Sequence, residues 1–533
     1  MSRRKLFRNL DEPLLYGDHR PLTRRSFVAQ GLAAGAASFV GGSVLSLFSN
    51  PLEAQAALSD DILDVLNNTC GGVSEATRIP FICFDLAGGA NIAGSNVLVG
   101  GAGGQLDFLS TAGYSKQGLP GDIIPQVADV ATGATDFVDQ RMGLAFHTDS
   151  GFLRGIAEKV TADTMTRING AVIAARSEND TGNNPHNPMY GINVAGADGR
   201  LVSLVGSRSS DSGGNSQAPI AMFNPEVRPT KVDRRSDVTG LVETGDFGAL
   251  GQQDVVAVLE SIYRISNQKL GAVNTRITAD DVVKDLVRCG YIQSADLAAE
   301  FGNPMALDPF LDPDMVGPNG VFTQEEFMND REFEKTASIA SMVINGRSGA
   351  GTITMGGYDY HTGDRATGEL RDLRAGRAMG ACLEYAAKKG RPLMMYVFSD
   401  GSVFSNGTTD DSVNGRGKGV WTGDNQQTAS SFFMVYNPNS RAVVMGGTPE
   451  EQARHQQIGY MRASGDVETA SSPAANNVNL LVETVVLNFL ALHNLHGEFE
   501  TLFPNHGLGN AASRDALTAF EPIFDGSVNN PLG

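Results

Sequence analysis

The chain has 533 residues, a formal net charge of −19, 63 glycines, one tryptophan and four cysteines. The acidic balance argues against nucleic acid or an anionic membrane surface as the main partner. The length suffices for one large domain or two ordinary ones, with ample core either way.

The N-terminal segment carries Thr23-Arg24-Arg25-Ser26-Phe27, an uncharged run from Gly31 to Asn50, and the triplet Ala54-Gln55-Ala56. Paired arginines, a weakly apolar run rich in Gly and Ala, and a small-x-small processing site have the layout of a twin-arginine signal peptide. Arg24 and Arg25 are then the recognition pair, and cleavage follows Ala56. The competing reading is a membrane anchor, but the run is barely long enough to span and ends in a processing site. The twin-arginine translocase is the expected partner during export. The expected destination of the folded cargo is the periplasm, or secretion onward, in a Gram-negative type of bacterium. Cys70, Cys83, Cys289 and Cys382 show no CxxC spacing, and none of the three full pairings is selected by sequence.

Downstream, short apolar runs alternate with helical patterns. Arg78 to Phe84 (RIPFICF) reads as a strand that stops at Asp85 and the glycine-rich turn Leu86-Ala87-Gly88-Gly89-Ala90-Asn91. A helix is predicted over Gly151 to Val160 after His147-Thr148-Asp149-Ser150, and a strand over Gly170 to Ala175. Residues 176–235, rich in Asn, Gly, Ser and Arg, read as long loops, Pro185-His186-Asn187-Pro188 among them as a turn. Asp254 to Gln268, Ala279 to Gly290 and Ser294 to Phe301 have helical spacing and form a helical insertion, placed within about 176–330 of a single large domain over 57–533. Asn319 to Glu326 matches the second half of an EF-hand loop, yet Met315 and Gly317 stand where acids are needed, so a turn before a helix is preferred.

The second half predicts a helix over Glu332 to Gly346, a strand over Gly351 to Met355, a long helix over Glu369 to Lys389 and a strand over Arg391 to Phe398. Ser431 to Tyr436 and Arg441 to Met445 read as a hairpin. Val478 to Leu495 carries Glu483, Asn488 and His493 and reads as an amphipathic helix rather than a span. Strand, helix, strand with acids at strand ends is an α/β signature, and a mostly parallel sheet flanked by helices is expected.

Three strand ends carry polar groups: Asp85, then Asp359 and His361, then Ser399 and Asp400. Parallel neighbouring strands would gather them at one sheet edge, where an Asp/His/Asp set can bind a divalent cation. Each also has a plainer role, since strand-end Asp residues cap helices and build Asx turns.

The series FDLAGG, GGYDYH, FSDGS, GDNQQTASSFFMVYNP and VVMGG resembles the exported family called domain of unknown function 1501. That family is placed in the alkaline phosphatase and sulfatase superfamily, so the resemblance implies an α/β fold with metals at the carboxyl edge of its sheet. It covers the leader, about residues 79–105 and 183–206, and above all 335–450. On this resemblance Asp85 takes the place of the first metal-binding acid, and Asp359 and His361 that of later ligands. Asp400 stands where an acid follows the next strand. Family members commonly show Asp-His where this chain has Asp424-Asn425, and Gly401 replaces another histidine. The remaining set suits one calcium, magnesium or zinc ion and is poor for two zinc ions. Ser150 resembles the serine nucleophile of alkaline phosphatases, although a cap on the following helix is the preferred reading of Thr148-Asp149-Ser150. No Cys/Ser-x-Pro-x-Arg segment exists for sulfatase maturation, no Gly-x-Ser-x-Gly elbow for an esterase, and no P-loop or dinucleotide fingerprint. Two readings follow: a metal-dependent hydrolase of phosphate or sulfate esters with a degenerate or single-metal site, or a non-catalytic binding or scaffold protein on the same fold.

Overall fold

The computed structural model describes residues 58–68, 70, 77–129, 134–178, 183–242, 252–271, 280–301 and 303–532. Arg24, Arg25 and Ala56 lie outside them. The chain divides into two compact units, one formed by residues 74–241 and 305–533, the other by 1–73 and 242–304.

The larger unit is built on an eight-stranded sheet. Its strands are β1 (Phe81–Ala87), β2 (Ile168–Ile173), β3 (Val202–Gly206), β4 (Thr230–Lys231), β5 (Ser348–Gly356), β6 (Leu393–Ser399), β7 (Ser431–Tyr436) and β8 (Gln457–Ile458), in spatial order β8-β2-β7-β6-β1-β5-β3-β4. Every neighbouring pair is parallel except the two made by β7. The expected α/β architecture with a mostly parallel sheet is therefore present. The central strands β1 and β6 are buried almost throughout, which is why they read as unbroken apolar runs rather than alternating ones.

Five helices of this unit matter below: α1 (Gly151–Lys159), α2 (Met189–Val194), α3 (Arg331–Ile344), α4 (Arg365–Lys388) and α5 (Val478–Leu492). Phe81 of β1 meets Phe489 of α5 edge to face, centroids 5.8 Å apart. On the opposite face, a Cβ on Gly351 of β5 would touch Ile339 and Val343 of α3. Helices thus cover both faces, as a parallel sheet requires. Glycines let α1 and α4 pack backbone to backbone: a Cβ on Gly155 would stand 2.3 Å from the Leu373 carbonyl, and one on Gly376 equally close to that of Phe152.

Three expectations fail. Residues 176–235, read as long loops, supply α2 and the sheet strands β3 and β4, whose short, weakly apolar runs lack a clear period. Ser431 to Tyr436 is no hairpin arm; it is the antiparallel strand between β6 and β2, while Arg441 to Met445 adds only a bridge from Val444 to Phe520. Local turn chemistry at Asn437-Pro438 pointed to the adjacent segment, whereas the fully buried β7 finds its partners far away in sequence. Nor is α5 amphipathic, since every residue from Thr484 to Leu492 is buried. Asn488 bonds to the Thr484 and Leu517 carbonyls, and His493 accepts the Ile79 amide, so its polar groups are satisfied inside the core.

In the smaller unit, the helices Asp60–Asn68, Gln252–Gly271 and Asp280–Phe301 share an apolar cluster that includes Ile62, Leu66, Val256, Tyr263 and Ile292. The two short patterns expected over 279–301 form one helix, because Gly290 is tolerated within it. A Cys70–Cys289 disulfide joins this helix to the N-terminal part of the unit. Among the described residues, no helix is long and apolar enough to cross a membrane.

Candidate metal centre

Strand β5 ends at Gly356, and the next turn carries Asp359 and His361. The Tyr358 amide donates to the Ala87 carbonyl at 3.1 Å, which fixes this turn against the end of β1. Gly88 makes the approach feasible: its φ is +128°, and a Cβ there would lie 2.5 Å from the Asp359 amide nitrogen. Beyond β6, the strands Val403–Asp410 and Lys418–Asp424 form an antiparallel ribbon whose base pairs Val403 with Asp424. The Gly363 amide bonds to the Trp421 carbonyl at 2.8 Å and ties the ribbon to the turn.

This local geometry brings Asp359, His361 and Asp424 together, each offering a ligand atom within 4.8 Å of the others. His361 Nδ1 stands 2.6 Å from Asp359 Oδ1 and 3.0 Å from Asp424 Oδ1. No well-directed hydrogen bond satisfies that nitrogen despite two carboxylate oxygens so close. Atoms crowded about a common point without hydrogen-bond geometry are what a ligand set looks like. Two carboxylates and an imidazole are an ordinary donor set for zinc or a similar divalent cation, and the exposure of both acids leaves room for further ligands. The residues therefore fit one cation.

Beside the triad opens a polar cavity of about 340 Å³ lined by Ser177, Gly401, Ser402, Asp424, Asn425 and Gln427, among others. Asn425 faces this cavity, but its Oδ1 accepts the Gln427 amide at 2.6 Å and closes an Asx turn.

Asp85 and Asp400 are engaged by other partners. Asp85 is fully buried, and its Oδ2 accepts the backbone amides of Asn215 (2.5 Å) and Ser216 (2.9 Å). Burial raises its pKa above the usual carboxylate range, with those bonds and the Arg208 charge opposing. Asp400 Oδ1 accepts the Gly88 amide at 2.8 Å, and its Oδ2 accepts Asn215 Nδ2 at 3.0 Å. Asn215 thus links the two acids, a role no sequence signal announced. The six candidate ligands are split: Asp359, His361 and Asp424 converge, Asp85 and Asp400 share Asn215, and Asn425 sits at the rim of the cavity.

Ser150 is the N-cap of α1. Its buried hydroxyl accepts the Leu153 amide at 3.1 Å and donates to Asn96 Oδ1 at 2.8 Å. The neighbouring His147 is equally structural: Nδ1 accepts the Asp149 amide, Nε2 pairs with the Ile123 carbonyl, and burial pushes its pKa down to about 4. Around this cap lies an ionic network that sequence reading missed. Lys418 and Arg365, both buried, converge on Glu369, and Arg365 also lies over the Trp421 ring at 4.5 Å. Burial opposes ionisation of Glu369, yet the two cations hold its carboxyl below the ordinary range. The i,i+4 spacing of Arg365 and Glu369 was the one available signal. Asp312 and Asp314, near the EF-hand-like segment, pair with Lys389, and Glu326 closes a capping box with Thr323.

Comparison with family models, curated proteins and solved structures found no match to this chain.

Proposed function

We propose that this chain is an exported protein of the domain of unknown function 1501 family, on an alkaline phosphatase-like fold, that binds one divalent cation and hydrolyses phosphate or sulfate esters. The observation that carries the reading is the convergence of Asp359, His361 and Asp424 beside a polar cavity. A cation held there would supply Lewis-acid polarisation of an ester oxygen. Asp359 and Asp424 would balance its charge, and Ser402, Asn425 and Gln427 would orient the ester. Ser150, committed to its helix cap, is left out of the chemistry. Export by the twin-arginine translocase to the periplasm, or secretion, rests on Arg24, Arg25 and Ala56, and a Cys70–Cys289 disulfide suits an oxidising compartment.

One observation favours the alternative of a binding or scaffold protein. Asp85 and Asp400 already accept protein N–H donors, which a working metal pair would not need. The deciding experiment is metal analysis of protein purified after export, with hydrolysis assays on a panel of phosphate and sulfate esters. The expected result is about one equivalent of bound metal and measurable turnover, both lost in Asp359→Ala and His361→Ala. Protein that is metal-free and stays inert with added zinc, magnesium, manganese or calcium sinks the hydrolase.

A further inference from the structure

The carboxyl ends of three adjacent parallel strands, β5, β3 and β4, form the floor of a second depression, about 600 Å³ in volume. Its lining includes Arg208, Lys231 and Lys335, with Ser207 and Thr354 below them and Asp233 as the one acid. Strand topology explains the gathering. Arg208 stands two residues past the end of β3, Lys231 is the last residue of β4, and Lys335 of α3 reaches over β5 to donate to the Thr354 carbonyl at 2.7 Å.

The charges here do not cancel. Asp233 lies 3.9 Å from Lys231 and is shared with Arg331 at 3.2 Å, and Glu332 pairs with Lys335 at 2.9 Å. The depression itself is lined by three cations and one acid, in a chain whose overall balance is strongly negative. Among the described residues, no hydrogen bond or ion pair engages the Arg208 guanidinium, whose only electrostatic tie is to the buried Asp85. A guanidinium without a partner, beside two ammonium groups and seryl hydroxyls, presents the fork of donors that a tetrahedral oxyanion accepts. Open α/β sheets bind ligands at this edge.

We propose that this basin is an anion-binding subsite that takes a phosphate or sulfate group, with Arg208 as its principal contact and Lys231 and Lys335 as flanking charges. It goes beyond the hydrolase reading, because it stands on residues separate from the metal triad. A scaffold protein could hold the same anion.

The test is calorimetric titration of the mature full-length protein with inorganic phosphate and, separately, inorganic sulfate, with sodium chloride as the control. Saturable one-to-one binding that weakens with added salt is expected, and the two titrations show which oxyanion is preferred. Arg208→Ala should weaken it roughly tenfold or more, as loss of a charged hydrogen-bond partner does. Lys231→Ala should weaken it less. Arg208 is exposed and its loss breaks no side-chain hydrogen bond or ion pair among the described residues, so its variant should fold, which circular dichroism checks. No saturable binding, or binding indifferent to Arg208→Ala and Lys231→Ala, overturns the proposal. Binding that vanishes in His361→Ala but survives in Arg208→Ala places the anion at the triad and overturns it too, while leaving the hydrolase reading intact.

Discussion

At the scale of single residues, burial decides what a polar side chain does. Ser150 shows it: the residue type fits both a nucleophile and a cap, and its hydrogen bonds to Leu153 and Asn96 select the cap. Ser150→Ala should cost about 0.5–2 kcal/mol of stability and leave any ester hydrolysis unaltered, a combination that denaturant melts and rate assays would reveal. A turnover loss without a stability loss would restore the nucleophile. Asp372 behaves differently because one carboxyl oxygen has no partner, while the other accepts Asn96 Nδ2 at 2.7 Å. Burial, with Glu369 adding to it, pushes its pKa up to about 7. The folded state therefore keeps a proton that the unfolded chain releases near pH 4. Stability contributed by this group falls as pH rises from about 4 to about 7 and stays lowered above. Asp372→Asn should flatten that slope, so its melting temperature should gain on the parent between pH 5 and pH 8. Parallel curves for the two proteins would show that Asp372 does not titrate there.

At the scale of elements, close approach and crosslinking replace side-chain chemistry. Helices α1 and α4 meet through Gly155 and Gly376, where an added methyl would press on a carbonyl only 2.3 Å away. Helix propensity alone favours alanine at such positions by about 1 kcal/mol, but overpacking works against it by about 1–3 kcal/mol. Gly376→Ala should therefore destabilise the larger unit, and a chemical denaturation midpoint that rises instead would refute the tight packing. In the smaller unit, the disulfide ties Cys289, deep in a long helix, to Cys70, 219 residues away in sequence. Replacing both cysteines with serine should lower stability by about 2–5 kcal/mol, and reduction of the parent should reproduce much of that loss. Proteolysis confined to residues 242–304 in the double variant would locate the effect, and unchanged protease resistance would argue against it.

At the scale of the whole molecule, function depends on which strand ends become neighbours. The chain order of β1, β5 and β6 is far from their spatial order, yet β1 sits between the other two, and this places Gly88 against both Asp359 and Asp400. The same sheet edge holds the metal triad on one side and the basic basin on the other. Arg208 and Lys231 gave no motif to read, because their meeting is a consequence of the β5-β3-β4 order alone. Asp359 and His361 were legible as candidates because they follow an apolar strand closely. Asp424 was reached only through family resemblance, since the ribbon that returns it to the site has no distinctive pattern.

What the sequence determined by itself was local: apolar runs long enough to be buried strands, helical spacing from Glu332 and Glu369 onward, and acids at strand ends. Those features depend on neighbours within a few residues, so composition and periodicity carry them. Tertiary structure decided the partner of β7, the burial of α5, the disulfide, the convergence of Asp359, His361 and Asp424, and the link from Asp85 to Asp400 through Asn215. Each of these rests on contacts between residues tens or hundreds of positions apart, and the free energy of such contacts comes from burial and hydrogen bonding that exist only once the chain has closed on itself.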